Sequence, residues 1–154
     1  MLSMNMKIFT LGGEAYINLN QVDKAMESVN YLNGQSEFLR ASYLTLRISL
    51  LHNQAQDALA NYDVMLKHAE ASEDCFALCL GAAGRIGESF QYNAAALECF
   101  RKLTNHFSLR EADIKIKLLN CISLQLLDPQ LFDQHAKPFI GEVVQVRFFV
   151  CRCS

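Results

Sequence analysis

Residues 11–32 read LGGEAYINLNQVDKAMESVNYL, and their reading decides the fold. Apart from the adjacent Gly12 and Gly13, the composition and apolar spacing are those of two helices joined by a turn at Leu19-Asn20. A glycine inside a helix costs about 1 kcal/mol relative to alanine. A helix keeps such a residue where a neighbour needs the missing side chain. Close crossing of two helices is one such place.

Outward from this stretch the same texture continues. Apolar residues recur at three and four positions over residues 8–127, as in Leu44, Ile48, Leu51 and then Leu59, Tyr62, Met65, Leu66. Breaks fall near Leu19-Asn20, Asn33-Gly34, His52-Asn53, Ala69–Asp74, Tyr92-Asn93, Asn105–Ser108 and Asp128-Pro129. The expected class is all-α, with helices of roughly 10–16 residues in antiparallel pairs. The two prolines, at 129 and 138, leave the rest of the chain free to be helical.

After Pro138 the pattern changes. KPFIGEVVQVRFFVCRCS (137–154) is β-branched and aromatic, yet no second strand-like segment exists to pair with it. The expected organisation is a helical domain over 1–136 and an extended or weakly ordered tail over 137–154.

The helix pairs repeat. Ala25 with Val29, Ala58 with Tyr62 and Ala96 with Phe100 each set a small residue four positions before a large one. Their spacings of 33 and 38 residues bracket the tetratricopeptide (TPR) period of 34. The first unit resembles a TPR: Phe9, Gly13 and Tyr16 in helix A, Asn20 in the turn, then Val22, Ala25 and Val29 in helix B. The resemblance implies that Gly13 lies against Ala25 where the helices cross. Gly84, Ala96 and Phe100 repeat the arrangement, while the second unit carries Leu46 in the small position. The resemblance covers roughly residues 7–104, with a further helix A at 109–127 (LREADIKIKLLNCISLQLL). It implies an α-solenoid of about three repeats plus one helix. The lack of a polar capping helix at either end suits a piece of a larger array or a truncated isoform.

A narrower resemblance rests on GEAYINLNQVDKAMESVNYL, YLTLRISLLHNQAQDALANYDVML and ALECFRKL. These runs look like the divergent TPR arrays of meiotic Spo/Zip-type proteins, among them testis-expressed crossover scaffolds. That family implies a nuclear scaffold in recombination or synapsis.

Other classes find little support. The net charge is −2 with no dense Lys/Arg cluster, so no nucleic-acid surface is expected. No apolar run approaches 18 residues, so no membrane span is expected. Six cysteines (75, 79, 99, 121, 151, 153) without a signal-peptide pattern suit reduced thiols in the cytoplasm or nucleus. Cys75 and Cys79, with His68 and His106, lack zinc spacing, and Cys151-x-Cys153 lacks the prenylation form. Gly81-x-x-Gly84-x-x-Gly87 matches neither phosphate-loop spacing. Cys99, Cys121, Ser123, His52, His68, His106 and His135 form no local catalytic signature, and Glu70, Glu73 and Asp74 read as a solvated connector. Neither cofactor, metal nor small-molecule substrate is expected, and the chain reads as no enzyme.

What remains is a protein–protein interaction scaffold. The runner-up within that class is a cytosolic TPR adaptor of chaperone or trafficking complexes. The competing class is a small helical enzyme or thiol-dependent metal protein. In TPR arrays helix A lines the concave groove, and the resemblance carries its groove places onto Lys7, Thr10, Glu14, Ile17 and Asn18. In the second unit they fall on Arg40, Tyr43, Arg47 and Leu50, and in the third on Arg85, Glu88 and Ser89. Arginine forks grip carboxylates, so an acidic or acidic-aromatic segment is expected across Arg40, Tyr43, Arg47 and Arg85. Charge reversal at Arg47 and Arg85 is expected to abolish capture and leave the helicity unchanged.

Overall fold

The computed structural model describes residues 3–91 and 93–107, and their regular structure is entirely helical. The helices are α1 (Met4–Asn18), α2 (Val22–Gly34), α3 (Phe38–Leu51), α4 (Ala55–His68), α5 (Glu73–Ser89) and α6 (Ala94–His106). They fall into two compact units, Met1–Cys75 and Phe76 onward. The expected helix over 109–127, the tail over 137–154 and the boundary between 136 and 137 lie outside the described residues.

The three turns that join α1 to α2, α2 to α3 and α3 to α4 are built alike. Asn20, Ser36 and Asn53 each adopt left-handed backbone, with φ of 58°, 57° and 57°. In each, the next residue's N–H reaches back five positions to a helix carbonyl: Gln21 to Tyr16 at 2.8 Å, Glu37 to Leu32 at 2.9 Å, and Gln54 to Ser49 at 2.8 Å. The left-handed residue donates three positions back, to Ile17, Asn33 and Leu50. This is the Schellman closure, which satisfies the last orphan carbonyls of a helix. Asparagine tolerates the left-handed region, which explains two of the three positions. At the second turn Gly34 stays inside α2 and Ser36 takes the strained place, two residues beyond the expected break.

Between these turns the helices pack in sequence, α1 on α2, α2 on α3 and α3 on α4, and α1 also lies against α3. Ala25 and Ala58 are fully buried, followed one turn later by buried Val29 and Tyr62. Phe9 of α1 stacks on Tyr31 of α2 with ring centres 3.9 Å apart. At Gly13 a Cβ would lie 2.6 Å from Leu44 Cδ1 and 3.2 Å from Ser28 Cβ. The missing side chain therefore makes room first of all for a leucine of α3 and a serine of α2. At Gly12 a Cβ would meet nothing within 4 Å.

In the second unit, α5 buries Phe76, Cys79, Ala82, Ala83 and Ile86, and α6 buries Ala96, Cys99, Phe100 and Leu103. The apolar residues recur at helical spacing on both. Phe76 meets Phe107 edge-on at 5.2 Å. Asn93 caps α6 by accepting from the Ala96 N–H at 3.1 Å. The Gly81-x-x-Gly84-x-x-Gly87 run lies within α5, where Gly84 and Gly87 are buried and Gly81 faces open space.

Candidate functional site

Where α1 meets α3, four of the residues assigned to the groove come together. Glu14 and Asn18 lie one turn apart on α1, and Tyr43 and Arg47 one turn apart on α3, so each pair presents one ridge. Arg47 Nη1 donates to Glu14 Oε1 at 3.1 Å and Nη2 donates to Asn18 Oδ1 at 2.8 Å. The Tyr43 hydroxyl donates to the same Glu14 oxygen and accepts from Arg47 Nη1 at 3.2 Å. The guanidinium carbon lies 5.8 Å from the Tyr43 ring centre.

The network is largely dry. Arg47 is 5% exposed and Tyr43 4%, while the Glu14 side chain keeps 27%. A buried guanidinium survives only when a counter-charge and further acceptors replace its water. Glu14 supplies the charge, and Asn18 and Tyr43 supply the rest. Burial raises the Tyr43 pKa above its ordinary value of 10.0; Glu14, as hydrogen-bond acceptor and negative charge, raises it further, and Arg47 pulls the other way. Tyr43 is thus a neutral donor at physiological pH.

The other assigned residues scatter. Lys7 is exposed on α1, and Arg40 is half-buried on α3 in an ion pair with Glu37 at 3.2 Å. Arg40 borders an open cleft of about 500 Å³ together with Met6, Phe38, His68, Glu70 and Asp74. Phe38 and His68 tilt against one another with ring centres 5.2 Å apart. Thr10 and Ile17 are buried, Thr10 turning its hydroxyl back to the Met6 carbonyl at 2.7 Å, and Leu50 is half-buried. Arg85, Glu88 and Ser89 are exposed on α5 in the second unit. A partner carboxylate reaching Arg47 would have to displace Glu14.

Glu14 as the counter-ion of Arg47 is the role that sequence reasoning missed. Its signal was available, because Glu14 and Arg47 are opposite in charge and 33 positions apart, the spacing that also separates Ala25 from Ala58. Among the thiols, Cys79 and Cys99 are buried and Cys75 is half-buried; Cys121, Cys151 and Cys153 lie outside the described residues, as do Ser123 and His135. Among the described residues no three His, Cys, Asp or Glu side chains converge as metal ligands, and no helix is long and apolar enough to cross a membrane. Comparison with protein families, with curated proteins and with solved structures finds no match to this chain.

Proposed function

We propose that this chain is a protein-interaction module assembled from TPR-like helical hairpins, with no chemistry of its own. One observation carries the reading. The turn at Asn20 recurs at Asn53, 33 positions on, and behind each turn a small buried residue, Ala25 or Ala58, recurs at the same spacing. The contact of α1 with α3 adds support, since successive first helices of stacked hairpins lie side by side. Stacked hairpins offer extended surface rather than a deep polar pocket, which favours binding a segment of another protein over catalysis.

The segment to be bound is acidic or acidic-aromatic. The groups that can meet it are Lys7, Asn18 and Arg40 in the first unit and, separately, Arg85 and Ser89 in the second. Tyr43 and Arg47 serve from beneath by fixing Glu14 and holding α1 on α3. On the narrower resemblance the module is nuclear and works as a meiotic scaffold in crossover formation or synapsis. Two measurements test this. Fluorescence anisotropy with a labelled Asp/Glu-rich peptide containing aromatics should show binding that Arg40→Glu weakens at least tenfold, with the circular dichroism unchanged. Immunoprecipitation from meiotic cells should recover recombination or synapsis proteins. Peptide binding indifferent to Arg40→Glu and Arg85→Glu would remove the groove, and recovery of chaperones alone would remove the meiotic role.

A further inference from the structure

The outer face of α1 carries an uncovered apolar stripe. Met4, Ile8, Leu11 and Leu19 are 70%, 57%, 66% and 66% exposed, and Ala15, also exposed, completes the helical spacing between Leu11 and Leu19. Four large apolar side chains on one face of α1 and its C-cap residue Leu19 exceed the scattered exposure normal for a surface. One 33-residue period later, the counterparts of Ile8, Leu11 and Ala15 are Ala41, Leu44 and Ile48 of α3, all buried, whereas Glu37 and His52, the counterparts of Met4 and Leu19, are half-buried and exposed. Among the described residues, nothing covers the matching places of α1.

Gly12 borders this stripe. It sits inside a helix where glycine is unfavourable, and nothing lies within 4 Å of where its Cβ would be. Within the chain, Leu44 packs into the space that Gly13 leaves open. Leu11 is the counterpart of Leu44 one period earlier, exposed beside a glycine whose space stands empty.

We infer that a second copy of this chain docks on the stripe, α1 against α1 in an antiparallel two-fold pairing. Such an interface must be self-complementary. A two-fold axis between Leu11 and Gly12 sets Leu11 of each copy over Gly12 of the other, Ile8 opposite Ala15, and Met4 opposite Leu19. Large residues thus meet small ones at the centre, repeating the lock of Leu44 on Gly13. The four large side chains expose on the order of 500 Å² per chain, so the pair would bury roughly 1,000 Å², the lower end for a specific interface.

Sedimentation equilibrium of the whole chain between about 1 and 200 μM spans the range in which an interface of this size assembles. A reversible dimer is expected. Leu11→Lys should raise its dissociation constant at least tenfold with unchanged circular dichroism, because Leu11 contributes nothing to the monomer core. Gly12→Leu, which fills the empty space, should do the same. A monomer at every concentration overturns the proposal. A dimer indifferent to Leu11→Lys, or one lost in Leu11→Lys yet untouched by Gly12→Leu, overturns it as well.

Discussion

Glu14 and Arg47, 33 positions apart, meet as an ion pair at 3.1 Å, so a charge on each of two neighbouring hairpins ties α1 to α3. Removing one partner of a buried pair costs roughly 3–5 kcal/mol; the partial exposure of Glu14 lowers the expectation for Glu14→Ala to about 1–3 kcal/mol. Arg47→Ala should fall in a similar range, and the double variant should recover part of the loss, a coupling of about 1 kcal/mol or more. Urea denaturation of the four proteins measures it. Additive losses would mean that the pair holds nothing. It follows that Arg47→Glu is no clean probe of partner binding, since it sets two carboxylates together and should itself lower the melting temperature. Arg85→Glu, on an exposed position, should not.

The two glycines of α1 should answer to the same substitution with opposite signs. Gly12→Ala gains helix propensity of about 1 kcal/mol and meets nothing, so stability should rise. Gly13→Ala drives a methyl to 2.6 Å from Leu44 and 3.2 Å from Ser28, and overpacking of about 1–3 kcal/mol should outweigh the propensity gain. Thermal melts at a dilution where association is negligible would show the two shifts. Equal shifts would disprove the packing role of Gly13.

Ser36 holds φ of 57° without glycine's freedom. Left-handed backbone costs an ordinary residue about 1–2 kcal/mol, from which the greater unfolded-state entropy of glycine must be subtracted. Ser36→Gly should therefore stabilise by about 0.5–1 kcal/mol, and Asn20→Gly and Asn53→Gly by less. Equilibrium unfolding of the three variants ranks them. A loss at Ser36→Gly would show that the serine side chain has a role beyond the turn.

Tyr43 gives a pH dependence. Its proton is held more tightly in the folded protein than in the unfolded chain, whose tyrosine titrates near 10.0. The stabilisation is complete below that value and declines as pH rises through the higher folded value, because the unfolded state releases its proton first. Unfolding free energy should fall more steeply between pH 9.5 and 11 in the native chain than in Tyr43→Phe, about the range where tyrosine ionises. Parallel curves would place the ionisation elsewhere.

Helices and turns were legible because their signals are local. The 3.6-residue spacing of apolar residues and the asparagines at 20 and 53 lie within a few positions of what they determine. Ser36 was not legible, since Gly34 two residues earlier is the better left-handed residue and only helix-end geometry selects between them. Leu44 reaches Gly13 from another hairpin, so no local pattern names it as a neighbour. Nothing local in the sequence marks Arg47 as buried, because buried arginines are rare and its counter-ion lies 33 positions away. Its burial becomes readable only when the first two helix pairs are aligned 33 residues apart and Glu14 falls on the same place.

The three Schellman turns bear on how fast the first unit is made. Each reversal of the chain is closed by bonds reaching only five residues back, and each helix packs on the next in sequence. Contacts this local cost little loop-closure entropy, and chains dominated by them fold on the microsecond-to-millisecond scale. During synthesis α1 and α2 can therefore close on each other while α3 is still unmade. The hairpin is then left with a notch at Gly13 and an unanswered carboxylate at Glu14, until Leu44 and Arg47 emerge together on one helix and fill both.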